Sequence, residues 1–148
     1  MTDAGELHVL FKVADADYAL RASDVLHMES YSGATKVPGT ASYVAGIVQI
    51  RGHVVPVVDV RARFGLPPAE LTLDSRVVVG QSKDRTVGLL VDSAREVLRI
   101  PPEQFKAAPE VVSHDTKGFI KGVAQADKRL VMLLDFAKVI GETEANGQ

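Results

Sequence analysis

Apolar residues in this chain fall in short runs with a two-residue beat, separated by polar or glycine-bearing turns. That period is the mark of half-buried β-strands. Leu7 to Val13 reads as a strand, Ala14 to Asp17 as a turn, and Tyr18 to Leu20 as a second short strand. Ala22 to Glu29 reads as a helical turn entering a strand, which periodicity alone does not separate. Tyr31 to Gly39 is a loop. Tyr43 to Ile50 and Val54 to Val58 form a hairpin through Arg51-Gly52-His53. Pro56 has no N–H to give a ladder, so its strand is expected at a sheet edge or at a bulge. Asp59, Val60 to Phe64 and Gly65 look like an N-cap, a short helix and a glycine stop.

The second half replays this order. Strands are expected at Arg76 to Val79 and Val87 to Val91, with a turn at Ser82 to Arg85. Ala94 to Ile100 matches Ala22 to Met28 in character. Asp135 then caps Phe136 to Ile140, and Gly141 ends that helix. The likeness is sharpest between Gly46–Asp59 and Gly122–Asp135. Both open on glycine, carry glutamine three residues later (Gln49, Gln125), turn through polar residues and run apolar into aspartate. Such internal self-similarity decides architecture. Two copies of one small β unit are expected, each of about five short strands and a short helix, and each suited to a small closed barrel. Leu66 to Glu70 is the most linker-like stretch. The second copy carries an insertion between Pro101 and Gly118, and the tail Glu142 to Gln148 is polar. A barrel this small buries little surface, so the two should share a core.

Composition narrows the function. Hydrophobic residues make up 46% and charged residues 24% of 148, which excludes a disordered chain. A net charge of −2 with scattered basic residues gives no track for phosphates, so no nucleic-acid partner is expected. There are no cysteines, which removes disulfides and thiol chemistry. No apolar run approaches the about 18 residues of a membrane span, and the N-terminus has no signal-peptide core. A cytoplasmic protein is expected. Only 5% of residues are aromatic, so the core is expected to be Val, Leu, Ile and Ala.

Candidate chemistry is sparse. His8, His27, His53 and His114 are too dispersed for a metal set, and no metal or other cofactor is expected. Asp59, Asp92 and Asp135 follow apolar strands, where catalytic carboxylates can sit, but at least two stand where a helix wants an N-cap. No nucleophile elbow, phosphate loop or dinucleotide fingerprint occurs. Gly52 is explained by a turn that needs positive φ. Arg51 has no such explanation, and arginine suits pairing with carboxylates at interfaces.

From Val37 to Gly65 a proline loop leads into Gly-x-x-x-x-Arg-Gly-x-x-x-Pro-x-x-Asp-x-Arg, filled by Gly46, Arg51, Gly52, Pro56, Asp59 and Arg61. This resembles the signature of CheW-type chemotaxis coupling proteins, and the resemblance runs from about Leu7 to Gly141. It includes Val87 to Asp92 and Gly118 to Gly122. It implies a mostly β fold of two tandem five-stranded SH3-like barrels with short helices, in one CheW-like domain over residues 1–148. The first barrel would span about 7–66 and the second 72–141, with strands near the boundary open to exchange. It implies a non-enzymatic adaptor in the cytoplasm, recruited to receptor arrays and touching the membrane only through receptors. The implied partners are the helical tip of a methyl-accepting chemoreceptor and the regulatory domain of a CheA-type histidine kinase. The receptor-facing residues implied are Gly46, Ile47, Arg51 and Gly52, with His27, Glu29 and Val97. Ala22 and Val25 fall where kinase-domain or receptor contacts are expected.

One departure stands out. Where that family commonly has Val-x-Glu before an apolar residue, this chain has Val25-Leu26-His27-Met28. Glu29, two residues on and therefore on the same strand face, is expected to take over pairing with Arg51. The departure leaves open a non-chemotaxis chemosensory pathway, such as gliding or pilus control. A generic SH3-like peptide-binding module and a hydrolase using Asp59 or Asp92 are the other readings.

Overall fold

The computed structural model describes residues 5–109, 118–126 and 128–141. His114, Asp127, much of the inserted loop and the tail from Glu142 lie outside the described residues. Among the described residues ten strands form: β1 Glu6–Val13, β2 Ala16–Arg21, β3 Val25–Ser30, β4 Val44–Ile50, β5 His53–Asp59, β6 Arg76–Ser82, β7 Arg85–Val91, β8 Ser93–Ile100, β9 Ile120–Ala126 and β10 Arg129–Leu134. Two short helices, α1 Val60–Arg63 and α2 Phe136–Val139, follow β5 and β10. A 3₁₀ turn at Ala22–Asp24 enters β3, so Ala22 to Glu29 is both turn and strand. The equivalent stretch at β8 is strand throughout.

The strands make two five-stranded sheets, ordered β8-β1-β2-β10-β9 and β3-β6-β7-β5-β4. Shifting every label by five converts one order into the other. Neither sheet follows a contiguous half of the chain such as 7–66 or 72–141. The first hairpin, β1–β2, joins β8, β9 and β10 of the second copy, and hairpin β6–β7 joins β3, β4 and β5 of the first. The joints are equivalent too, with β2 pairing parallel to β10 and β7 parallel to β5. Alternation dictates which face a strand buries but not which copy supplies its neighbour, and here each copy closes the other's barrel.

Alternation also builds three apolar layers. Leu10, Ala19, Val131 and Leu133 fill the first barrel, and Val57, Val77, Val79 and Leu90 fill the second. The residues between them in sequence face the other way. Phe11, Val13, Val78, Leu89 and Leu134 meet in a central core between the barrels. The aliphatic core expected from composition holds only inside the barrels. Between them, Phe11, Tyr18, Phe64 and Phe119 form a chain of rings with centroids 6.2, 5.6 and 5.5 Å apart. Most of the few aromatics are placed there, whereas Phe105 and Tyr31 pack against the two barrel interiors.

Pro56 corrects an expectation. Its strand β5 is interior, between β7 and β4, and the bulge lies opposite, on β4 between Val44 and Gly46. Ile47, paired with Pro56, sends both its N–H and its carbonyl outward to Thr35, at 2.8 and 2.9 Å. Nothing on that side asks Pro56 for a proton, and the ladder to β7 begins only at Val57.

Candidate functional site

The aspartates that follow strands are framework residues. Asp59 caps α1 by accepting from Arg61 N (3.0 Å) and Ala62 N, and its second oxygen accepts from Ala69 N at 2.9 Å. Asp135 caps α2 through Lys138 N. Asp92 takes Arg61 in two hydrogen bonds, 2.9 and 2.6 Å, and accepts Ala14 N at 2.8 Å. The Arg61 hydrogen bond holds the Asp92 carboxyl below the usual carboxylate range and raises the arginine. Arg63 donates to the Val139 and Lys138 carbonyls at the end of α2 and lies 4.0 Å from the Tyr43 ring centroid. Arg61 and Arg63 therefore bind the molecule to itself.

The β4–β5 hairpin turns on two residues, Arg51 and Gly52, both at positive φ (53° and 82°). Ile50 pairs with His53, so His53 opens β5 instead of sitting in the turn. Two central residues at positive φ define the turn whose twist matches the strands. Ala14, Lys83 and Lys128 share this backbone, so conformation does not single Arg51 out. Its side chain does. Arg51 Nε donates to Glu29 Oε2 at 3.0 Å, joining the hairpin tip to edge strand β3. His27 Nδ1 lies 2.9 Å from that same oxygen. The distance suits an ion pair, but the Nδ1 contact lacks the alignment of a hydrogen bond. His27 and Glu29 are largely covered, whereas 66% of the Arg51 side chain is exposed. Among the described residues, no group of three His, Asp or Glu is placed to hold a metal.

Beside this cluster runs a groove of about 560 Å³, lined by Glu29, Tyr31, Gly33, Ile47, Arg51 and Val54 among others. Burial and the Asp59 charge raise the Tyr31 phenol, which therefore stays a neutral hydrogen-bonding group there. Gly46 is buried beneath the groove at φ 145°, where a Cβ would meet the Thr35 carbonyl oxygen at 2.2 Å. It lies under the expected surface and lets the 31–35 loop lie on β4. Ile47 lines the groove and Gly52 serves the turn. Val97 is 54% exposed but belongs to the other sheet, on edge strand β8. Ala22 lies in the 3₁₀ turn, and Val25 packs against the central core.

Sequence reasoning missed the second barrel's counterpart. A groove of about 750 Å³ is lined there by Lys106, Pro109, Val123, Gln125, Leu130 and Met132 among others. The loop bridge Thr35–Ile47 has its equivalent in Lys106–Val123. The repeat held the signal, because Leu130 stands where the first copy has Val54, and both are exposed (68% and 65%). The first groove carries the ionic cluster, whereas the second is chiefly apolar.

Two barrels closed by exchanged hairpins, each with a groove beside the hairpin at one edge of its sheet, define a tandem SH3-like barrel protein. A model of the CheW-like domain matches residues 7–144. The chain is 33% identical over 136 residues to the chemotaxis protein CheW of Bacillus subtilis, covering 92% of this chain and 87% of that one. The scaffolding protein TtCheW of Thermoanaerobacter tengcongensis superposes with a TM-score of 0.81 at 28% identity, covering 88% and 89% of the two chains. Protein PilI of Pseudomonas aeruginosa is 29% identical over 100 residues, 68% of this chain and 54% of its own. The chain belongs to the CheW-like family.

Proposed function

We propose that this protein is a non-enzymatic adaptor that couples the cytoplasmic tips of chemoreceptors to a CheA-type histidine kinase. The observation that carries the reading is the exposed Arg51, anchored by one nitrogen to Glu29 at the rim of a groove. A receptor tip is a helical hairpin, and a groove accepts a helix by side chains spaced three and four apart. The arginine then supplies a carboxylate-selective contact at its edge. The kinase's regulatory domain, of the same fold, docks end to end on a barrel through small apolar residues such as Ala22 and Val25, and the exposed Leu130 of the second groove offers a further apolar contact. Two faces on one rigid body transmit receptor state as a shift between kinase conformations. Catalysis by Asp59 or Asp92 is disfavoured because backbone amides and Arg61 occupy their oxygens. An SH3-like peptide groove is disfavoured because, among the described residues, Tyr31 is the one aromatic lining the first groove and none lines the second. No helix among the described residues is long and apolar enough to cross a membrane.

The test is co-sedimentation of the purified protein with receptor-containing membranes, with and without CheA. Receptor-dependent pelleting that CheA enhances is expected. Arg51→Glu should weaken it about tenfold, near 1.4 kcal/mol, and adding Glu29→Arg should recover part of the loss. Absence of receptor-dependent pelleting sinks the coupling role. Strictly additive effects of the two changes sink the part assigned to the pair. The similarity to PilI, together with His27 in place of the family's usual glutamate, favours as second reading an adaptor of a pilus or gliding pathway. Replacing the adaptor gene and scoring surface motility beside swimming separates the two outputs.

A further inference from the structure

We propose that His27 is a proton-dependent positioning residue for Arg51. Glu29 Oε2 is approached from two sides, by His27 Nδ1 at 2.9 Å and by Arg51 Nε at 3.0 Å. Only the arginine contact is an aligned hydrogen bond, and His27 Nδ1 is buried with no aligned partner. With a neutral imidazole, Arg51 holds the oxygen alone. A proton on His27 puts a second cation against that oxygen and beside the guanidinium, so attraction to Glu29 and repulsion of Arg51 act together.

The two cations are not equally free to move. His27 sits on a strand, paired to Val79 of β6 and 24% exposed, whereas Arg51 projects from a hairpin tip with 66% of its side chain in solvent. The charged group in contact with His27 is Glu29 on its own strand, which Arg51 approaches from the hairpin. The β6 residues paired with His27 and Glu29 are Val79 and Val77, which are apolar and offer no competing charge. Protonation therefore transfers Glu29 to His27 and releases Arg51 toward the groove. Under the coupling reading, on which this consequence rests, docking of an acidic partner strengthens as pH falls.

The latch itself is tested without any partner. In ¹⁵N NMR of the full chain between pH 5 and 8.5, the Arg51 Nε–H resonance should begin in a hydrogen-bonded position. It should shift toward that of free arginine with the midpoint of the His27 ring protons. Glu29→Ala supplies the released reference at every pH, and in His27→Gln the Arg51 signal should stay put across the range. An Arg51 resonance that ignores the His27 titration, or shifts equally in His27→Gln, overturns the proposal and leaves the coupling role standing. Co-titration with no receptor binding would do the reverse.

Discussion

Asp92 shows how much one carboxylate can hold. Its two oxygens join the first hairpin turn at Ala14, helix α1 at Arg61 and the end of β7. Charge-assisted hydrogen bonds of this kind contribute about 1.5–3 kcal/mol, so Asp92→Asn should destabilise the fold by that amount at neutral pH. The group's folded pKa lies below its ordinary value of 3.8. Its contribution is therefore complete above that value and is lost as pH falls through the folded one. Urea midpoints of the two proteins should differ constantly from pH 8 to about 4, and converge below it. A gap that does not narrow at all as pH falls below about 4 would count against the pair. Buried His8, whose pKa burial lowers from 6.5, erodes stability in the same direction but begins at higher pH and is common to both proteins. The Glu29–Arg51 pair was legible in the sequence because the strand period puts positions 27 and 29 on one face. Arg61–Asp92 was not, because it joins α1 to a strand whose position depends on how the sheets are assembled.

At the level of elements, strands and caps followed from local pattern, and the loop bridges did not. The Thr35–Ile47 bridge lays an irregular loop against edge strand β4 and builds one wall of the groove. Gly46 makes this approach possible, since it combines positive φ with the Thr35 carbonyl at its back. Gly46→Ala should cost about 1–3 kcal/mol from backbone strain alone. It should also free the Thr35 and Ile47 amides, which hydrogen exchange would report as lost protection confined to that loop and β4. Uniform loss across both sheets, or none, would contradict this account. The resemblance placed Gly46 on or beside the receptor-facing surface, and here its close contact is with the Thr35 carbonyl. A glycine kept for its missing side chain looks the same in sequence whether a partner or a loop fills the space.

For the molecule as a whole, the repeat revealed two copies but not their reciprocal closure. Pairing within a copy and pairing across copies satisfy the same alternation, so no local signal distinguishes them. A cut between Glu70 and Leu71, in an exposed connection, separates the copies without breaking a strand. Fragments 1–70 and 71–148 should each fail to fold as monomers, because each lacks strands of both barrels. Mixed in equal amounts, they should recover the native circular dichroism and one cooperative transition as a 1:1 complex. A fragment that unfolds cooperatively as a monomer would refute this.

The exchange also sets an order of events during synthesis. β1 and β2 are made before β3 to β7, yet their strand neighbours β8 and β10 are made after them. The β1–β2 hairpin must wait, half-apolar, until β8 to β10 are made, while β3 to β7 can close a barrel in its absence. The same topology makes half the length sufficient in principle. Two separate five-stranded chains, trading their first hairpins, would build this body with a true twofold axis. Joining them in one gene frees the two grooves to diverge, and the Arg51–Glu29 pair at the rim of the first groove is one such divergence.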